Sequence, residues 1–161
     1  MTPNFELRHF RWNGDGPAPV VAQVRRRVQF GEVDFMGIVW HGRYAAYFED
    51  ASTEARRTAG LSYEALHEAG LRSPIVRFHV DYAKPLLLDE LVVTEAVLVW
   101  NEAARLDIEY AVRKPDGSLA ATGYSVQLFT DARTGELLFA SPPLLRRCRR
   151  QWSGHGQSST A

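Results

Sequence analysis

Residues 30–44 form one connection, which reads Phe30-Gly31-Glu32-Val33-Asp34-Phe35-Met36-Gly37-Ile38-Val39-Trp40-His41-Gly42-Arg43-Tyr44. It lies between a predicted strand and a predicted helix. Large apolar side chains avoid water, and a connection that carries this many is unusual. We therefore expect Asp34 and His41 to lie against an apolar wall, where a carboxylate is more reactive. The alternative is that Asp34 only accepts hydrogen bonds from backbone amides of a turn.

The chain on either side of this connection changes its hydrophobic period. Residues 20–30 alternate between apolar and polar, which is typical of a half-buried strand, and Arg26 is the one misfit. Further on, the apolar residues recur at helical spacing, while most charged ones fall opposite. The apolar face holds Tyr44, Tyr47, Phe48, Ala51 and Ala55, and the charged set is Glu49, Asp50, Glu54, Arg56 and Arg57. Gly60 is placed to end this helix, and Ser62 to begin a short one through Glu68.

The rest of the chain is rich in predicted strands. Runs suited to strands cover residues 76–82, 91–100, 106–112 and 119–130, and a strong turn signal, Pro115-Asp116-Gly117, separates the last two. One strand, one long helix, one short helix and then consecutive antiparallel strands predict the α+β class. A sheet of five or six strands would curl around the long helix and leave its other face uncovered, which dimerisation would partly hide.

The length of the chain limits its organisation to one domain. It has 161 residues, of which 45% are hydrophobic and 24% charged, as in ordinary globular proteins. We expect an N-terminal extension over residues 1–19, in which residues 5–12 are a weak candidate for a short strand. The domain proper spans residues 20–145. A tail over residues 146–161 is predicted to be basic at first and then flexible.

Charge and cysteine content exclude several classes of protein. Nineteen basic residues balance nineteen acidic ones, so no net positive field favours nucleic acid. A single cysteine, Cys148, cannot close an intrachain disulfide, and no Cys/His cluster has zinc spacing, so we expect no metal and a reducing cytoplasm. No apolar run reaches the roughly 18 residues of a membrane span, and the N-terminus does not resemble a signal peptide.

His41 and Gly42 lie where the long helix is predicted to begin. The first backbone N–H groups of a helix have no intrahelical partner, and the helix dipole places partial positive charge there. Such groups can stabilise a carbonyl oxygen that gains negative charge during acyl transfer, and Gly42 would let a substrate approach the backbone closely. The alternative is a flexible helix entry beside a packed, hydrogen-bonded imidazole.

These residues resemble a known family. The stretch 32–44, followed by Tyr47-Phe48-Glu49-Asp50-Ala51 and Gly60-Leu61-Ser62-Tyr63, is similar to the 4-hydroxybenzoyl-CoA thioesterase and YbgC-like branch of the hotdog-fold acyl-CoA thioesterases. The similarity continues through residues 80–91 and covers roughly residues 20–143. It implies a hotdog fold, a curled antiparallel sheet wrapped around residues 43–59. It also implies a homodimer or homotetramer with acyl-CoA sites at the subunit interface.

The resemblance also implies roles for single residues. Asp34 matches the catalytic carboxylate, as nucleophile or as base for a water, and both remain open. His41 matches the histidine that binds or orients the thioester, and the Gly42 region would supply the N–H groups that stabilise the oxyanion. The substrate-binding set would be Gly37, Ile38, Val39, Trp40, Arg43 and Tyr44. No cofactor is implied, because coenzyme A is part of the substrate.

Two departures from the family pattern and one alternative carboxylate bear on these roles. Val33 replaces a common Thr, and Arg43 replaces the usual Asn, so a hydrogen bond that fixes the loop is absent or replaced. Arg43 could instead alter the acyl preference. A second hotdog branch carries its carboxylate on the helix, which makes Asp50 the alternative to Asp34. We favour Asp34 because its flanking motif matches better.

The sequence therefore predicts a thioesterase that acts on an acyl-CoA or an acyl carrier protein thioester. Candidates for binding the CoA phosphates are residues 25–27, Lys84 and the basic cluster at 146–150. Two other functions remain possible on this fold. One is an enoyl-thioester hydratase or dehydratase, and the other is a non-catalytic acyl-CoA-binding protein.

Overall fold

The computed structural model describes residues 7–12, 14 and 16–155, the last three by their backbone alone. Ten helices and strands follow one another in the described chain. They are β1 (Val20–Arg27), α1 (Tyr44–Thr58), α2 (Tyr63–Glu68), β2 (Leu71–Arg72), β3 (Ile75–Tyr82), β4 (Leu91–Val99), β5 (Arg105–Arg113), β6 (Leu119–Leu128), β7 (Thr130–Asp131) and α3 (Pro143–His155). Short 3-10 turns at Phe30–Glu32 and His41–Arg43 flank the acid-bearing loop.

Five strands form one antiparallel sheet in the order β1-β4-β5-β6-β3. Helix α1 packs against this sheet, and its apolar face, Tyr44, Tyr47, Phe48, Ala51 and Ala55, is buried as its spacing predicted. The predicted α+β class is confirmed. β2 and β7 form a separate two-stranded ribbon, and the outer strands of the large sheet, β1 and β3, are its edges.

The ends of the helices follow their predicted signals. Gly60, just beyond α1, has a φ of +77°, in the left-handed region that glycine adopts without strain. The Ser62 hydroxyl accepts a hydrogen bond from the Ala65 N–H (3.2 Å) and so caps α2. One prediction for α1 is wrong. Arg56, assigned to the charged face, is only 2% exposed and points into the protein.

The C-terminal region differs from the flexible basic tail that the sequence predicts. Residues 143–155 form α3, and its buried Leu144, Leu145 and Cys148 join the core. The Cys148 thiol donates a hydrogen bond to the Gly60 carbonyl (3.3 Å). Residues 156–161, the rest of the predicted tail, lie outside the described residues.

The N-terminal extension binds the sheet face opposite α1. The buried Glu109 carboxylate accepts hydrogen bonds from the backbone N–H groups of Arg8, His9 and Phe10, and the Phe10 ring packs edge-on against Tyr124. This segment partly covers the face that was expected to be bare. Residues 7–12 are not a strand, and residues 5 and 6 of the candidate strand lie outside the described residues. Among the described residues, no helix has both the length and the apolar character needed to cross a bilayer.

Candidate active site

The acid-bearing loop is a small hairpin between β1 and α1. Val33 and Val39 form an antiparallel bridge at its base, the Asp34 N–H donates to the Ile38 carbonyl (2.9 Å), and the Gly37 N–H donates to the Asp34 carbonyl (3.0 Å). Gly37 has a φ of +77°, which closes the turn in the conformation that glycine favours. The turn therefore fixes the backbone of Asp34 from both sides.

The Asp34 side chain serves this turn with one of its two oxygens. Oδ1 accepts a hydrogen bond from the Met36 N–H (2.8 Å), as aspartates at turn starts commonly do. Among the described residues this is its only side-chain hydrogen bond, so Oδ2 has no partner there. The carboxylate is half-buried. It is held in one orientation and keeps a lone-pair-bearing oxygen available.

The apolar wall predicted around this loop is only partly present. Val39 is buried, but Phe35 is 99% exposed and Met36 is also exposed. The prediction that these two side chains avoid solvent is therefore wrong for the single chain. They lie at the tip of the hairpin, beyond the bridge that joins Ile38 to Leu87.

The entry to α1 presents unpaired backbone donors. His41 and Gly42 begin the 3-10 turn that leads into the helix, and no described group accepts a hydrogen bond from either N–H outside that turn. Both residues are exposed, while the following Arg43 N–H is bound by the Trp40 carbonyl (2.9 Å). Two adjacent donors at the positive end of a helix suit an oxyanion.

Trp40 explains why position 42 is glycine. A Cβ there would lie only 2.2 Å from the indole Cζ3 of Trp40, so the missing side chain makes room for this ring. Close approach of a substrate to the Gly42 backbone stays a prediction. The His41 ring packs against the same indole, with 4.9 Å between ring centroids, and the His41 carbonyl accepts a hydrogen bond from the Tyr82 hydroxyl (2.9 Å).

Arg43, which stands where the family usually has Asn, makes one hydrogen bond that joins the two ends of the connection. Its Nη2 donates to the Gly31 carbonyl (3.2 Å), which ties the helix entry to the start of the connection. Two residues of the predicted substrate-binding set are in the core instead. Val39 and Tyr44 are both buried, and burial raises the pKa of the Tyr44 phenol. Their side chains belong to the hydrophobic core of the single chain.

A buried polar network that sequence reasoning missed lies under the hairpin. The buried Glu32 carboxylate accepts hydrogen bonds from the Tyr47 hydroxyl (3.0 Å), the Gln29 N–H (2.9 Å) and the Arg26 guanidinium. Arg26 also lies over the Tyr47 ring at 4.6 Å. The one signal in the sequence was Arg26, an arginine on the apolar side of a strand, because buried charges need partners. Arg26 is thus engaged within the protein, whereas it was one of the candidates for CoA phosphates.

The alternative carboxylate, Asp50, belongs to the same network. Its Oδ2 pairs with the Arg26 Nη1 at 2.9 Å. This ion pair engages one of the two Asp50 oxygens and ties the carboxylate to Arg26. No described hydrogen bond or ion pair joins Asp34 to either Asp50 or His41, so the carboxylates have separate environments.

One cavity runs along α1 from the helix entry. It encloses about 380 Å³, and its wall on the helix is formed by residues at helical spacing, Ala45, Phe48, Glu49, Ser52 and Arg56. Strands β3, β5 and β6 supply the opposite wall. A larger cavity of about 680 Å³ lies elsewhere, between α3, the start of β1 and the C-terminal end of α1. The first cavity begins at Ala45, the second residue of α1, and neither His41 nor Gly42 lines it.

Three metal-ligand side chains also meet in the described structure. His9, His79 and Asp81 bring their ligand atoms within 4.8 Å of one another on the outer face of the sheet, and all three are exposed. This group could not be predicted from the sequence, because His9 is far from the other two residues along the chain. His79 and Asp81 already pair with each other (3.0 Å).

A five-stranded antiparallel sheet packed on one long helix is the arrangement of the hotdog fold. The chain belongs to the thioesterase-like superfamily, whose family model matches residues 28–148. A protein of Aquifex aeolicus named "Putative esterase" is 39% identical over 98 residues, which cover 60% of this chain and 75% of that protein. The "Acyl-CoA thioesterase YbgC" of Haemophilus influenzae is 34% identical over 70 residues, 43% of this chain and 52% of that protein.

A solved structure supports the fold independently. The DHNA-CoA thioesterase of Staphylococcus aureus superposes with a TM-score of 0.75 at 22% identity, over 88% of this chain and 96% of that one. At this identity the likeness shows the fold alone. The family and the hotdog fold that the sequence predicted are both confirmed.

Proposed function

We propose that this protein hydrolyses acyl-CoA thioesters, with Asp34 as the catalytic carboxylate. The observation that carries the proposal is the Asp34 side chain, which one hydrogen bond fixes and which keeps Oδ2 without a partner. The unpaired N–H groups of His41 and Gly42 are proposed to bind the oxyanion; one such donor typically contributes about 10²- to 10³-fold to the rate. The names of the relatives support a CoA thioester as substrate.

Two routes are compatible with this arrangement. In the first, Asp34 attacks the thioester carbonyl, the C–S bond breaks as CoA leaves as a thiol, and water hydrolyses the acyl-aspartyl anhydride. In the second, Asp34 accepts a proton from water, and the resulting hydroxide attacks the same carbonyl. Neither route needs a cofactor beyond the CoA of the substrate, and both release a carboxylic acid and a thiol. A cytoplasmic location and an acyl carrier protein as alternative thiol carrier also stay predictions.

The competing assignments find less support. Asp50 is paired with the Arg26 guanidinium and so already serves the network around Glu32, whereas Asp34 forms no ion pair among the described residues. A hydratase or dehydratase needs a cooperating His/acid pair, and no described hydrogen bond joins His41 to Asp34. Nothing in the described residues favours a protein that binds acyl-CoA without turning it over.

We also propose that the site is completed by a second copy of the chain. β3 is an edge of the sheet, and its Ile75, Val76, Phe78 and Tyr82 are all exposed, as is Phe35 at the hairpin tip. A long apolar edge strand of this kind is normally covered. We expect the purified chain to sediment as a dimer or tetramer. A monomer at micromolar concentration would contradict this part of the proposal.

The function is tested with a panel of acyl-CoAs and a thiol-reactive dye. Benzoyl-CoA and short, medium and long aliphatic acyl-CoAs are supplied to the purified protein, and release of free CoA is followed. We expect turnover of at least one member without added metal. Crotonyl-CoA is included, and loss of enoyl absorbance with no thiol release would instead indicate a hydratase. No reaction with any member would contradict the proposed function.

A further inference from the structure

The inner end of the α1 cavity carries a buried positive charge. Arg56 lies in the last turn of α1, is 2% exposed and lines the cavity together with Ser73 and Gln127. Its Nε donates to the Leu61 carbonyl (3.2 Å), its Nη1 to the Gln127 Oε1 (3.2 Å) and its Nη2 to the Ser73 Oγ (3.0 Å). All three acceptors are neutral. Three of its five N–H donors are used in these bonds, and the Tyr63 side chain also interacts with the guanidinium.

No described carboxylate forms an ion pair with Arg56. The acid that acts on it electrostatically is Glu49, which is exposed on the same helix and accepts a hydrogen bond from the Tyr63 hydroxyl (2.7 Å). The Tyr63 ring covers the guanidinium at 4.4 Å. Burial lowers the pKa of Arg56, which shows the cost of keeping this charge away from water. Arginine stays protonated in proteins, so the charge persists and needs compensation.

Gln127 adds further donors at the same place. It is 3% exposed, and its Oε1 accepts hydrogen bonds from both Arg56 and the Ser73 hydroxyl (3.4 Å). Turning the amide over would set two donors against each other, so the Arg56 contact fixes its orientation. No described residue accepts a hydrogen bond from its Nε2. The donors of Arg56 and Gln127 thus face only neutral acceptors, and Glu49, the one carboxylate in the cavity wall, already accepts a hydrogen bond from the Tyr63 hydroxyl.

Arg56, Ser73 and Gln127 form a polar cluster at the end of the cavity remote from the start of α1. The cavity begins at Ala45, one residue inside α1, and Arg56 lies eleven residues further, roughly 16 Å along the helix axis. Aromatic rings line part of the stretch between them: Phe48 stacks on Tyr110 with 4.4 Å between ring centroids and contacts Phe78, while Glu49 and Ser52 add polar groups. An acyl chain that enters beside the helix N-terminus would cross this stretch and end at Arg56.

We propose that the cavity selects acyl groups that carry a carboxylate at the end remote from the thioester, and that Arg56 with Gln127 binds this carboxylate. Guanidinium groups match carboxylates in geometry and charge, and a ligand of this kind supplies the charged acceptor that the cluster lacks. Arg56 is thereby a specificity residue. This inference rests on the proposed thioesterase function, because that function places the thioester of the substrate beside the start of α1.

The test compares matched pairs of thioesters on the wild-type protein. Each pair has the same number of acyl carbons: succinyl- and butyryl-CoA, adipyl- and hexanoyl-CoA, suberyl- and octanoyl-CoA. We expect kcat/KM to favour the carboxylated member of at least one pair by about 10-fold or more. A preference for the neutral member in every pair overturns the inference, and this result does not depend on any variant folding.

Arg56→Met then assigns the preference to the residue. Methionine is of similar length and apolar, so it fills the space without the charge. We expect the ratio of carboxylated to neutral kcat/KM to fall about 30-fold or more, because a partner of a charge pair is lost. Arg57→Met is the matched control, since Arg57 is exposed and paired with Glu54, and its ratio should equal the wild-type one. If Arg56→Met lowers both members of a pair equally, Arg56 is only structural and the inference is wrong.

A failure of the proposed function is recognised separately. If no thioester is hydrolysed, the same intact pairs serve as ligands in titration calorimetry. Tighter binding of a carboxylated member then supports the role of Arg56, and equal or weaker binding in every pair overturns it.

Discussion

Asp34→Asn is expected to lower kcat for acyl-CoA hydrolysis by about 10³-fold, within the range that a general base contributes and equal to about 4 kcal/mol of activation free energy. The reason lies in the two oxygens of Asp34. An asparagine Oδ1 can still accept the hydrogen bond from the Met36 N–H, so the turn is kept. Its amide nitrogen can neither attack a thioester nor take a proton from water. The change therefore removes the chemistry and leaves the hairpin.

The measurement is thiol release at saturating substrate, with circular dichroism and a thermal melt to show that the variant is folded. Asp50→Asn is the matched control, since it makes the same chemical change at the alternative carboxylate. It breaks a part-exposed ion pair with Arg26, which is worth about 1 kcal/mol or less. We expect its kcat to stay close to the wild-type value. Full activity in Asp34→Asn together with a large loss in Asp50→Asn would transfer the catalytic role to the helix.

The sequence predicted those elements whose side chains have a regular period. The α1 stripe from Tyr44 to Ala55 and the alternation in β3 and β5 are patterns that only one secondary structure satisfies. The Ser62 cap and the glycine after α1 mark helix ends through local hydrogen bonding and backbone geometry, which tertiary contacts do not need to supply. Such signals can be recognised without knowing the rest of the fold.

Helix α3 was not predicted, because the arginines between its apolar residues made the segment resemble a solvated tail. Leu144, Leu145 and Cys148 lie at helical spacing, but four of the residues from 146 to 150 are arginines. One of these, Arg149, stacks over the Trp100 ring and binds the carbonyl groups of Glu102 and Ala103. Long basic side chains can thus cover apolar surface while their charges find acceptors.

The site was predicted in its position and only partly in its surroundings. The motif predicted that the donors of His41 and Gly42 lie at the helix entry, where the structure has them, and it put Asp34 in the loop before them. It could not show that Glu32 anchors the hairpin, or that Arg56 faces inward, because each depends on partners distant in sequence. Charge alone predicts exposure, and these two residues are exceptions because neighbouring strands and helices supply their hydrogen bonds.

Gly123→Ala is expected to destabilise the protein by about 3 kcal/mol or more, at the upper end of what overpacking costs. Gly123 lies in β6, between Val80 of β3 and Tyr110 of β5. A Cβ at this position would stand 2.1 Å from the His79 carbonyl oxygen and 2.7 Å from the Phe48 ring. The first is backbone of the neighbouring strand, and the second is held by its stack on Tyr110. Neither can move without shifting β3 or α1.

Urea unfolding measures this loss as a lower midpoint at an unchanged slope, provided that unfolding stays two-state. For a chain of this size, the melting temperature should fall by roughly 6–12 °C. Gly31→Ala is the matched control, because nothing lies within 4 Å of a Cβ built there, and it should stay within about 0.5 kcal/mol of the wild type. Since β3 and Phe48 both line the α1 cavity, KM should also rise in Gly123→Ala. Wild-type stability in this variant would mean that α1 and β3 lie farther from β6 than the structure places them, and the cavity between them would have to be redrawn.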